Sequence, residues 1–130
     1  MKRSIEVELP WPNAILNPNS RPNVFLKNRV FQEHKNAAYL ETRFSMKMNG
    51  VDRIALKGEE STLNIALVVR PAIKRRRDED NLLGRCKAYI DGISKATEIN
   101  DCNFHYLEQE WPGKDPQKKG SITFRLEWIE

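Results

Sequence analysis

The sequence predicts an α+β fold: one mixed β-sheet with helices packed on it. Three observations carry this. Apolar residues alternate with polar ones around residues 4–9, 63–69 and 122–128, the period of a half-buried strand. Two stretches between them repeat apolar residues at helical spacing. The resulting order, strand, helix, strand, helix, strand, strand, suits a single sheet with helices against it. At 130 residues, 39% hydrophobic and 31% charged, the chain has the size of one domain, 1–130. A chain this long buries about two-thirds of its unfolded surface.

The first strand rests on Ile5, Val7 and Leu9. Residues 10–22 then form a loop rich in Pro and Asn, because each Pro denies a sheet one N–H donor. A long polar loop inside a compact domain is uncommon unless it is functional. From about Val24 to Met48 the spacing is helical. Phe31, His34 and Ala38 share a stripe, and Ala37, Leu40, Phe44 and Met48 follow at intervals of three and four. Asn49-Gly50 closes the helix with residues that tolerate a left-handed backbone. Leu63, Ile65, Leu67 and Val69 define the second strand, which ends at Pro71. Leu82, Leu83, Cys86, Tyr89, Ile90 and Ile93 lie on one face of a second helix, with Asp80 suited to its N-cap. A third strand begins at Phe104 and ends near Trp111. Ile122, Phe124, Leu126 and Trp128 alternate as the last.

Several classes lack their residues. No apolar run approaches the roughly 20 residues of a membrane span, and the alternating N-terminus is a strand rather than a signal peptide. The expected compartment is the cytoplasm. Cys86 and Cys102 form no CxxC and read as reduced thiols, Cys86 packed. Ser–His–Asp, HExxH and Gly-rich phosphate-loop patterns are absent from the sequence, and His34 and His105 have no evident partner.

Net charge is +4 and the sequence pI about 9.2. Seven Lys or Arg residues lie from Arg70 to Lys87, and Lys114, Lys118 and Lys119 form a second group. Such clusters suit a polyanion, or form two solvated faces. The densest segment is Lys74-Arg75-Arg76-Arg77-Asp78-Glu79-Asp80-Asn81, where a second strand gives way to a helix. Seven consecutive charges cannot be buried unpaired. Cations beside carboxylates suit a site that holds a phosphate and a divalent metal together.

Asp78 and Asp80 point the same way in an extended segment, and Mg²⁺ takes one or two carboxylates alongside phosphate oxygens and water. Asp-x-Asp alone is common in surface turns and helix caps. Asp101, between the second helix and third strand, adds a third carboxylate if the end of one strand meets the start of the next. Lys87, seven residues after Asp80, returns to nearly the same helix face and leans toward the carboxylates, or is a snorkelling surface lysine. Asp91 reads as a surface or dimer-face residue rather than a ligand.

At these residues the chain resembles the RusA family of Holliday junction resolvases. Three blocks carry the resemblance: Leu9-Pro10-Trp11-Pro12 with Asn17-Pro18-Asn19-Ser20-Arg21; Arg75-Arg76-Arg77-Asp78-Glu79-Asp80-Asn81-Leu82; and Lys87-Ala88-Tyr89-Ile90-Asp91-Gly92-Ile93 followed by Ile99-Asn100-Asp101. The resemblance implies a RusA-like, Mg²⁺-dependent homodimer that makes paired, symmetric nicks in a four-way DNA junction. It implies Asp78, Asp80 and Asp101 as catalytic, metal-holding carboxylates and Lys87 as the catalytic lysine. Lys74, Arg75, Arg76, Arg77, Arg21 and Arg85 would meet DNA. Two departures stand out. Leu83-Gly84-Arg85-Cys86 separates the lysine from Asn-Leu, about three extra residues; an ungapped match puts Gly84 at the lysine position and leaves Arg85 or Arg77 to supply charge. Asn100 replaces an acidic residue common in the family. Other readings are a Mg²⁺ nuclease of flaps or other branched DNA, and a non-catalytic junction-binding protein. An RNA-binding module lacks its aromatic strand pattern.

Overall fold

The computed structural model describes residues 2–18, 21, 23–56, 62–72 and 82–130. Four strands form one mixed sheet: β1 (Lys2–Pro10), β2 (Leu63–Arg70), β3 (Phe104–Tyr106) and β4 (Ser121–Ile129), in the order β1-β4-β2-β3. The central β4 is antiparallel to both neighbours, whereas β2 and β3 are parallel. The helices are α1 (Val24–Met48), α2 (Leu82–Arg85) and α3 (Lys87–Thr97). This is the α+β architecture that the alternating strands predict.

Period-2 alternation puts one set of strand side chains on the helix side of the sheet. Ile5, Val7, Leu9, Leu63, Ile65, Leu67, Val69, Ile122, Phe124, Leu126 and Trp128 join Tyr89, Ile90 and Ile93 of α3 and Ala38 and Met46 of α1 in one buried cluster. The opposite side carries charge. Glu6 and Glu8 are exposed there, Glu6 faces Arg125 across the ladder, and Arg125 pairs with Glu110 and Glu127. Lys2 also reaches Glu127, at 3.4 Å.

α1 and α3 pack closely because small residues meet where they cross. A Cβ on Gly92 would lie 2.3 Å from the Lys35 carbonyl oxygen and 2.8 Å from Ala38 Cβ. Any larger side chain there would force the helices apart.

The structure corrects three expectations. α1 has the expected bounds, yet it buries Val30, Ala38, Thr42 and Met46, leaving Leu40, Phe44 and Met48 exposed. The buried stripe includes Thr42, so apolarity alone selects the wrong set. The second helix is not continuous: Cys86, at φ −87° and ψ 3°, separates α2 from α3. Its N–H is shared between the carbonyls of Leu82 and Leu83, so the turn tightens where Gly84 offers little helix propensity. β3 is shorter than expected. Beyond Tyr106 the chain still follows β2, through Leu107 N–H to the Ile65 oxygen and Glu110 N–H to the Leu67 oxygen, both 2.9 Å. Three residues there span two of β2, a bulge that interrupts the ladder.

Candidate active site

The N-terminal loop fixes the start of the α2–α3 stretch. Asn13 caps a 3-10 turn at Ala14–Leu16 by accepting from the Ile15 N–H. Its own N–H donates to His34 Nε2 at 3.1 Å, and the His34 ring stacks on Tyr89 with centroids 5.0 Å apart. Nε2 must therefore be unprotonated, and burial lowers the His34 pKa in the same sense. The Tyr89 hydroxyl donates to the Pro10 oxygen at 2.8 Å, and burial pushes its pKa up. Arg85 Nη2 donates to the Pro12 oxygen at 2.7 Å, and the guanidinium lies 5.9 Å from the centre of the Trp11 ring. Its buried Nε has no partner among the described residues. A Cβ on Gly84 would meet Pro18 Cγ at 2.7 Å. Position 84 thus faces the loop, and a lysine there would collide with it.

Lys87, the first residue of α3, is turned elsewhere. Its Nζ lies 3.0 Å from Asp91 Oδ1 and 3.0 Å from Asp101 Oδ2. Rather than leaning back toward the helix start, it reaches one turn forward to Asp91 and across to the next connection. Local helix energetics do not favour this. A cation at the first position opposes the helix dipole, and Lys preceding its acid by four is the weaker order.

Asp101 is delivered by a tight return of the chain. Glu98 ends α3 with a left-handed backbone, φ 60°. The Ser94 hydroxyl donates to the Ile99 oxygen at 2.6 Å. Asn100 then caps the 3-10 turn Asp101–Asn103 by accepting from the Cys102 N–H at 3.0 Å. The Asn100 amide is a cap, and it leaves the Asp101 carboxylate pointing at Lys87.

The trio is open to solvent: the side chains of Lys87, Asp91 and Asp101 are 56%, 28% and 39% exposed. The Asp101 and Asp91 hydrogen bonds raise the lysine pKa, so it stays charged at neutral pH. Tyr106 lies beside the cluster; burial, then the Asp101 charge, raises its pKa. Two carboxylates against one ammonium leave net negative charge. Their oxygens converge on one cation position, no more than about 6 Å apart since each contact is 3.0 Å. That donor set fits a divalent ion as well as an ammonium, but it is incomplete for Mg²⁺. No cluster of three or more His, Cys, Asp or Glu suited to a metal occurs among the described residues. Asp78 and Asp80, the other expected ligands, lie outside the described residues, as do Lys74, Arg75, Arg76 and Arg77.

Other expectations fare variously. The strands do not bring Asp101 to the end of β2, because Phe104 pairs with Leu63, the first residue of β2. Parallel pairing sets β3's start about 23 Å from β2's end, at roughly 3.3 Å per residue. Among the described residues, the α2–α3 stretch lies between the two regions in the chain. Arg21 is exposed. Arg85 makes its contacts with the N-terminal loop. Cys86 is buried, with its pKa pushed up to about 12, and Cys102 is exposed. At the far end of β2, Arg70 and Lys119 share an open cleft of about 580 Å³ with Glu8 and Asp115. Asp91 is the residue the sequence reading set aside. Its signal was the Lys-to-Asp spacing of four. His34 had no such signal, since its partners are distant in sequence. No helix among the described residues is long and apolar enough to cross a membrane.

No protein-family profile matches the chain. Over 104 residues, 80% of its length, it is 29% identical to an uncharacterized protein of Xylella fastidiosa (strain Temecula1), and it spans 65% of that relative's length.

Proposed function

We propose that this protein is a Mg²⁺-dependent endodeoxyribonuclease of the RusA type, acting as a homodimer on four-way DNA junctions in a bacterial or phage-infected cell. The observation that carries the reading is the Lys87 ammonium held 3.0 Å from the Asp101 carboxylate on an open surface. Cation and carboxylate come from the two ends of the third block of the resemblance, and the chain turns back after α3 to join them. Gly84 supports the displaced lysine, because the position that an ungapped match would use is filled by Pro18.

Asp78, Asp80 and Asp101 would hold the metal, which when bound supplies Lewis-acid activation of water and of the scissile phosphate. Asp80 stands seven residues before Lys87 in the chain. Lys87 stabilises charge that develops on the phosphate as water attacks. Lys74, Arg75, Arg76 and Arg77 grip the flanking backbone, which positions DNA without reading its sequence. A dimer supplies two such centres about a two-fold axis, the symmetry that paired nicks in a junction require.

The test is cleavage of a mobile four-way junction, a flap and a linear duplex with Mg²⁺. Junction cutting that exceeds both others, and that Asp80→Asn abolishes while junction binding persists, is the expected result. Preference for the linear duplex sinks the resolvase reading; unchanged cutting by Asp80→Asn sinks the catalytic one.

A further inference from the structure

α1 and α3 run side by side in the same direction, since their contacts advance together. His34 stacks on Tyr89, Ala38 meets Gly92, and Arg43 Nη1 donates to the Ala96 oxygen at 3.4 Å. Where the two helices meet at the surface, cations form a line. Lys35, Tyr39, Arg43 and Lys47 come every fourth residue of α1, a half-buried to exposed stripe about 18 Å long. Lys95 of α3 joins it from the side, its Nζ 4.9 Å from the centre of the Tyr39 ring. Lys87, Asp91 and Lys95 are in turn four apart along α3, so the line leads away from the candidate active site.

None of Lys35, Arg43, Lys47 and Lys95 has an ion-pair partner among the described residues. The helix dipole favours cations in a last turn, which accounts for Lys47 and Lys95 but for neither Lys35 nor Arg43. Asp52 lines an open hollow with Arg43 and Lys47, yet pairs with neither. The exposed apolar residues Leu40, Phe44 and Met48 each follow the stripe by one residue, about 100° round the helix and away from α3. A membrane would have to meet both faces at once. A polyanion lying across α1 and α3 meets only the cations.

We infer that this line is a track for the phosphate backbone of DNA, carrying one arm of the branched substrate away from Lys87. Charges spaced along a rigid helix suit the successive phosphates of a strand, and such contacts fix position without reading sequence. The inference rests on the DNA partner proposed above, but on neither its metal nor its carboxylates.

The test is fluorescence anisotropy of the full chain on a labelled linear duplex and a four-way junction, in EDTA and over a range of salt. It compares wild type, Arg43→Gln, Lys47→Gln, Lys95→Gln, the triple variant and Lys2→Gln, each first shown to be folded by circular dichroism. Lys2 pairs with Glu127 on the sheet, so its variant loses the same charge off the track. Each track variant is expected to weaken binding about threefold and to flatten the slope of log K against log salt by about 0.9. The triple variant should flatten it by roughly 2 or more, and Lys2→Gln should leave it unchanged. A triple variant no flatter than Lys2→Gln overturns the inference. So does a wild type that binds phosphatidylserine vesicles or polyglutamate more tightly than DNA. The two readings fail separately. A flattened slope in a chain that cuts no junction with Mg²⁺ sinks the nuclease alone, and junction cutting with an unchanged slope sinks the track alone. A wild type that binds no DNA sinks both.

Discussion

Arg85 and Lys87 stand two residues apart at the start of one helical stretch, and the fold uses them in opposite ways. Arg85 is drawn down onto the N-terminal loop, donating to Pro12 and covering Trp11. Lys87 is left on the surface between two carboxylates. One cation holds the scaffold together; the other stays at the surface, paired with two carboxylates. The difference follows from position. Residue 85 faces the loop that Pro18 and Gly84 press against α2, while residue 87 faces the returning turn at Asp101. Charge type at adjacent positions thus says little about role, and the partner decides it.

Substitutions should separate the two roles cleanly. The largest effect belongs to Lys87→Met, expected to slow junction cleavage by roughly a hundredfold or more. Its melting temperature should move by less than about 3 °C, because exposed ion pairs contribute only about 0–1 kcal/mol. A melting temperature that collapses with the activity would make Lys87 structural and erase the contrast. Arg85→Met should do the reverse. Losing a charged hydrogen bond to a carbonyl costs about 1.5–3 kcal/mol, read as a lower midpoint in urea, while cleavage per folded molecule persists. Gly84→Ala probes the same side without touching charge. Its methyl group would push Pro18 away, a cost of about 1–2 kcal/mol by overpacking, and it should loosen the loop to proteolysis. Tyr89→Phe is milder, removing one hydrogen bond to Pro10 worth about 1 kcal/mol.

The smallest effect is in pH. His34 is neutral in the fold and its pKa is lowered, so the unfolded chain takes up a proton first as pH falls. Its contribution is complete above the ordinary value of about 6.5 and fades as pH drops from there toward the lower folded value. An NMR titration should find His34 titrating below that value, with loop signals shifting alongside. Lys87 behaves oppositely. Its raised pKa means that its contribution is whole below about 10.4 and is lost only as pH rises through the still higher folded value. The two sides should therefore respond at opposite ends of the pH scale.

Much of this was legible in the sequence where a period governs. β1, β2 and β4 follow from strict alternation, and α1 from its spacing and Asn-Gly stop. The failures share a cause: each depends on a tertiary partner. Thr42 is buried and Phe44 exposed because of where α3 crosses, which no local pattern encodes. The break at Cys86 falls beside Gly84, whose low helix propensity is local but whose contact with Pro18 is not. His34 acquires its role from Asn13 and Tyr89, and Arg85 from Pro12, all brought in by folding. Asp91 was legible by its spacing from Lys87, but a surface pair of this kind is common enough to pass as ordinary solvation. The link between Lys87 and Asp101 required the left-handed turn at Glu98, which no glycine announces.

Carboxylates collect on the side of the sheet away from the helices. Glu6, Glu8, Glu110 and Glu127 gather there against Arg125 and Lys2, although the whole chain is cationic. For the DNA partner proposed above, these carboxylates would be repulsive, and productive encounters would arrive from another side. The sheet then acts as a rudder as well as a floor, and its influence should fade as added salt shortens the reach of the field.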